Sequence, residues 1–163
     1  MTSIIKVDTI QTSAGGTPTA SSLGISGVGK IGQVVSTNNS TAQTTTSTSF
    51  VATSLSVNIT PTSTSRKIYI IASSNVANNN INDTNRYTIM RDSTVLDAGE
   101  GMANGYSNTA GDIRIGIAIH YLDSPSTTSQ ITYALGHRTG GVSTSTVNKN
   151  GYTGSITVME VLA

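Results

Sequence analysis

Two histidines, His120 and His137, and eight Asp and Glu residues are the side chains from which acid, base or metal chemistry near neutral pH would have to be built. Hydrolysis by a nucleophile needs a base beside it and a third group that orients the base. Neither histidine lies in a nucleophile elbow or in a metal-ligand spacing such as H-E-x-x-H. Both fall inside alternating apolar patterns: His120 opposite the large aliphatics, His137 continuing the face of Ile131, Tyr133 and Leu135. Structural roles are expected for both. A carboxylate pair for work on sugars could be drawn from Asp97, Glu100, Asp112 and Asp123. No spacing brings two of them together, and Asp92, Asp97 and Asp123 sit at strand ends, where Asp closes turns through its own side chain.

The remaining patterns that could hold a ligand are weaker still. Asn78, Asn79, Asn80, Asn82 and Asp83 offer oxygens to a calcium ion, but not in the D-x-[DN]-x-[DN]-G frame and with a single charge, so a solvated loop is expected. Gly27-Val28-Gly29-Lys30 lacks the rest of a phosphate loop, and Ile31 stands where the hydroxyl should be. The absence of cysteine removes thiolate metal sites, disulfides and cysteine nucleophiles together. No cofactor, no metal and no catalytic residue are expected, and the chain reads as a non-enzyme.

Composition points the same way. Charged residues make up 10% of the chain, against roughly 25% in an ordinary soluble domain. Ser, Thr and Asn supply about two fifths of it, so the surface is hydroxyl and amide rather than ionic. A net charge of +1 with scattered Lys and Arg gives no stripe that could neutralise a phosphate backbone, so nucleic acid is not an expected partner. Neither a secretion signal nor an apolar run near the length of a membrane span is expected from the sequence.

The elements that must position any site have a period of two. Leu55, Val57 and Ile59 alternate with Ser56, Asn58 and Thr60, and Pro61 closes the run. Ile113, Ile115, Ile117, Ile119 and Tyr121 form the longest alternation, which predicts a central strand that anchors the core. Further strands are expected over 31–36, 47–52, 67–74, 86–90, 94–98, 130–137, 142–148 and 155–161, with no amphipathic helix. Arg91-Asp92-Ser93, Ser124-Pro125-Ser126, Thr139-Gly140-Gly141 and Asn150-Gly151 carry turn chemistry between them. The fold class is therefore all-β, an antiparallel sandwich over residues 30–163. Residues 1–29, rich in Ser, Thr, Gly and Ala, read as an extended N-terminal arm whose apolar residues Ile4, Ile5, Val7 and Ile10 could add to a partner's sheet edge. Two stretches, 75–85 and 99–112, read as loops, and Asn79, Asn80, Tyr106 and Asn108 are the residues through which they would meet a receptor.

One resemblance extends over nearly the whole chain. Ser3-Ile4-Ile5-Lys6-Val7-Asp8-Thr9-Ile10-Gln11 resembles the N-terminal segment of tail-fibre-like and other structural proteins of marine and freshwater phages, cyanophages in particular. Thr46 to Phe50, Leu55 to Pro61, Ser63 to Ile68, Ile89 to Thr94, Leu122 to Pro125 and Ile156 to Val161 look like the same family. The resemblance implies a jelly-roll-like sandwich on the virion, assembled in the host cytoplasm, usually trimeric, with the N-terminal segment as its attachment. It implies as partners further copies of the chain and other virion proteins, such as the major capsid or the tail and baseplate proteins. No repetitive shaft separates the arm from the β domain, which favours a capsid decoration or cement subunit, or a short fibre, over a long adsorption fibre. The alternative expectation is a host-receptor module of a tail fibre, with 75–85 and 99–112 gripping a host-surface glycan and Tyr106 stacking on it.

Overall fold

The computed structural model describes residues 30–79, 82–97, 99–108 and 112–162, together with 11, 15 and 16. Ile4, Ile5, Val7 and Ile10, expected to form an attachment arm, and Asn80, expected to meet a receptor, lie outside the described residues.

The described chain is all-β. Its strands are β1 (Lys30–Asn39), β2 (Gln43–Thr45), β3 (Val51–Ile59), β4 (Lys67–Asn78), β5 (Asp83–Arg91), β6 (Thr94–Val95), β7 (Ala103–Ser107), β8 (Ile113–Asp123), β9 (Ile131–Thr139), β10 (Ser145–Val147) and β11 (Gly154–Leu162). The one helical piece among the described residues is a 3-10 turn at Lys149–Gly151, where Asn148, Asn150 and Gly151 all have positive φ. Asn and Gly tolerate that conformation better than other residues, which is why the Asn-Gly signal marks this corner.

The strands form two antiparallel sheets packed as a β-sandwich. In the first, the order is β1-β11-β4-β8, with β10 pairing the far end of β4 beyond β11, and β2 pairing β10. In the second, the order is β3-β9-β5, and the outer edge of β5 is shared by β7 at one end and β6 at the other. Leu55, Val57, Tyr87, Ile89, Tyr133 and Leu135 of the second sheet meet Ile68, Ile70, Ala72, Ile119, Ile156 and Val158 of the first in one core. Each large aliphatic buried there stabilises the fold by roughly 1.5 to 3 kcal/mol.

Several sequence expectations are corrected by this arrangement. The run Ile113 to Tyr121 is β8, an edge strand whose partner among the described residues is β4, and not a central one. Alternation reports one buried face, and an edge strand of a sandwich has one just as a central strand does. Arg114, Gly116, Ala118 and His120 form its exposed face. The central strand of that sheet is β4, which runs on through Asn75 to Asn78 where a loop was expected. Its end is stabilised by tertiary contacts: the buried Asn78 amide donates to the carbonyls of Asp83 and Gly105 at 2.7 and 3.2 Å.

The second expected loop, 99–112, contains β7, so Tyr106 stands on a strand. Conversely, 47–50 is no strand, because Ser47 Oγ donates to the Ser49 carbonyl and accepts from its N–H, a local turn that competes with sheet pairing. The strands expected over 94–98 and 142–148 shrink to Thr94–Val95 and Ser145–Val147.

Candidate functional site

The structure separates the candidate carboxylates. Asp97 accepts from Thr88 Oγ1 at 2.8 Å. Asp112 meets Lys149 Nζ at 3.1 Å and Arg114 at 3.3 Å, and the Lys149 hydrogen bond holds its carboxyl below the usual carboxylate range. Asp123 is buried and takes Arg91 Nη1 on both oxygens, at 2.9 and 2.7 Å, and the Tyr133 hydroxyl at 2.6 Å. Glu100 pairs with Arg86 and Arg138. No two of these carboxylates share a partner, and among the described residues no group of three or more His, Asp and Glu is placed to hold a metal ion. Tyr133, fully buried, has its hydroxyl pK raised by burial first and by the Asp123 hydrogen bond second, so it stays a donor to that carboxylate. Tyr133→Phe is expected to destabilise the fold by about 2 kcal/mol, the range of a hydrogen bond to a charged group, as read from urea unfolding midpoints.

His120 faces outward on β8, with its ring 5.9 Å from Tyr69. His137 faces the core, 2% exposed, with Nδ1 3.1 Å from Ser145 Oγ. It belongs to a buried polar cluster at one end of the sandwich whose hub is Asp83. One Asp83 oxygen accepts from the N–H groups of Val142 and Ser143 at 2.9 and 2.6 Å and from Thr139 Oγ1 at 3.0 Å; the other accepts from the Thr84 N–H at 2.7 Å. Burial alone would raise the carboxyl pK, but the hydrogen bonds from Ser143, Thr84 and Val142 outweigh it and hold the group far below the usual range. Asn85 extends the cluster, accepting from Ser143 Oγ at 2.6 Å and donating to the Ala77 and Thr144 carbonyls. These residues are occupied with one another, and they pin the 140–144 turn onto β5.

Of the residues expected to meet a receptor, Asn79, Tyr106 and Asn108 are described. Asn79 is exposed and accepts from the Thr144 N–H at 2.8 Å. Asn108 is exposed just beyond β7. Tyr106 is 54% exposed, and its hydroxyl donates to Asn82 Oδ1 at 3.3 Å.

Its surroundings were not legible in advance. Tyr106 pairs in register with Thr84, and two residues along, Asn104 pairs with Arg86, which pairs in turn with Arg138. Side chains two apart share a face, so all of these lie on the outer face of the second sheet. Thr84, Arg86, Glu100, Gly101, Met102, Ala103 and Asn104 line an open polar hollow of about 380 Å³ there, within the size range of ligand sites. Arg86 and Arg138 are 52 residues apart and join only through strand pairing, which no spacing rule announces.

On the outer face of the first sheet the register aligns Val34, Met159, Tyr69 and Leu122 in a single row across β1, β11, β4 and β8. Val34 and Leu122 are 57% and 48% exposed, with Ile31 and Ile71 exposed beside the row. The chain matches no family model and no curated protein.

Proposed function

We propose that this chain is a non-enzymatic surface protein of a bacteriophage virion, a capsid decoration or cement subunit or a short fibre subunit. In this reading it assembles as a homotrimer, and residues 1–29 anchor it to a neighbouring virion protein such as the major capsid or a tail or baseplate protein. One sheet runs β1-β11-β4-β8 and the other β3-β9-β5-β7, with the chain crossing between the sheets at every step among these strands except from β5 to β7, which supports a jelly-roll arrangement. The observation that carries the assembly reading is the apolar row Val34, Met159, Tyr69 and Leu122. Monomeric soluble proteins seldom present contiguous apolar surface to water, and burying this row against a further copy of the chain removes it.

Leu122→Asp is expected to convert the trimer to monomer in sedimentation velocity while the far-UV spectrum is unchanged, since the side chain is 48% exposed on the outer face of the first sheet. Particles lacking the protein should retain the wild-type chain and lose a version beginning at Lys30. A wild-type chain that sediments as a monomer, or a truncated chain that still binds particles, sinks the corresponding half of the proposal.

A second reading, recognition of a host-surface glycan, is favoured by one observation. Tyr106 presents an exposed ring beside the hollow of Thr84, Arg86 and Asn104.

A further inference from the structure

Arg86 and Glu100 line the hollow, and Arg138 stands beside Arg86 in the strand register; the two arginines are built in and the carboxylate they share is not. Arg86 Nε donates to Glu100 Oε2 at 2.7 Å, and Arg138 Nη2 lies 3.6 Å from the same oxygen. The arginine side chains are 25% and 15% exposed, the Glu100 side chain 78%. Arg138 is fixed by donation to the Thr48 and Gly99 carbonyls at 3.3 and 3.2 Å and by the Phe50 ring, 5.0 Å from its guanidinium carbon. Its Nε–H is buried and meets no hydrogen-bond acceptor among the described residues. Glu100 stands between Gly99 and Gly101, whose φ values of 103° and 96° are conformations that glycine adopts without a steric cost.

An ion pair whose carboxylate is this exposed is weakened by solvent, so an incoming carboxylate loses little by taking its place. We infer that the hollow beside Arg86 and Arg138 binds an acidic glycan, with a sugar carboxylate replacing that of Glu100 between the guanidiniums. The inference rests on the glycan-recognition reading and names its ligand class. Thr84 and Asn104 supply neutral donors and acceptors for sugar hydroxyls. Tyr106, two positions beyond Asn104, is about 7 Å further along the strand, where its ring can pack on the next sugar. Arginine suits a planar carboxylate because its fork donates two parallel hydrogen bonds.

The test is calorimetric titration of the full chain with sialyllactose and with trigalacturonate, each beside its neutral counterpart, lactose and galactotriose, and with inorganic phosphate. Expected is binding of at least one acidic sugar and of neither neutral one. Arg86→Met should abolish it. Glu100→Gln should tighten it about fivefold, because the internal competitor is gone. Tyr106→Ala should weaken it. The inference is overturned if neither acidic sugar binds, if Glu100→Gln leaves affinity unchanged, or if phosphate binds as well as the sugars. Neutral sugars that bind through Tyr106 would overturn the anion site while leaving glycan recognition standing. Acidic-sugar binding indifferent to Tyr106→Ala would support the anion site and remove Tyr106 from it.

Discussion

Asp83→Ala is expected to cost the fold about 3 to 5 kcal/mol, because it leaves four donors without their acceptor, at about 1 to 3 kcal/mol for each that water does not reach. One carboxylate oxygen serves the N–H groups of Val142 and Ser143 and the Thr139 hydroxyl; the other serves the Thr84 N–H. Removing it takes the acceptor from four donors at once and releases the 140–144 turn from β5. Asp83→Asn should rescue little, because whichever side its amide nitrogen occupies, that nitrogen faces a backbone N–H and has no lone pair to offer. Gly140→Ala should injure the same place from the other side, since a Cβ there would overlap Asp83 Oδ1. Urea unfolding of the three variants checks this. A loss below about 1 kcal/mol for Asp83→Ala would mean that water replaces the carboxylate, and the hub would be a solvated turn.

How much of this was legible in the sequence depends on the kind of signal. Period-two alternation is local, and it located β3, β8 and β11 within a few residues because each buries one face against the same core. Position within a sheet is not local, so the alternation of β8 could not reveal that it lies at an edge. Asn and Gly were misleading wherever a distant partner satisfies them. Asn78 continues β4 because Gly105, 27 residues away, accepts from its amide, and β7 forms through Asn104 and Gly105 because β5 pairs with it.

Buried charge was the hardest feature to read. Asp83 looks like one more polar residue in an Asn-rich stretch. Glu160 looks like a surface residue of a C-terminal strand, yet it is 1% exposed. It faces inward opposite Ile68 and accepts from Thr62 N–H and Oγ1, both at 2.7 Å, and from Gln33 at 3.0 Å. Burial would raise its pK, but the Thr62 and Gln33 hydrogen bonds and the Arg66 charge together hold it below the usual range. Its partners lie 98 and 127 residues away, so only the folded chain assembles them. The same holds for the Arg86, Glu100 and Arg138 cluster, whose members read singly as surface charges.

The second large effect expected is acid destabilisation through His137. The ring is 2% exposed, and burial alone pushes its pK down from the ordinary 6.5 to about 4. Tyr87 is its cross-strand partner and, buried, has its hydroxyl pushed up to about 12, so it brings no charge to His137 in this range. Between pH 6.5 and 4 the unfolded chain takes up a proton that the folded chain refuses, so stability falls as pH falls through that window. The full contribution is about 3 kcal/mol, present above the unfolded pK and lost by the time pH reaches the folded one. His137→Gln removes the titrating group, so its unfolding midpoint should be nearly flat from pH 6.5 to about 5 even if its neutral-pH stability is lower. Below about pH 4.5 both proteins should weaken together, because the unfolded chain protonates Glu160 and then Asp83, at their ordinary values of 4.5 and 3.8, while the fold holds both ionised. Urea midpoints across this range separate the two processes. A wild-type curve that is flat down to pH 4, or a His137→Gln curve with the wild-type slope, would show that the ring reaches water before it charges.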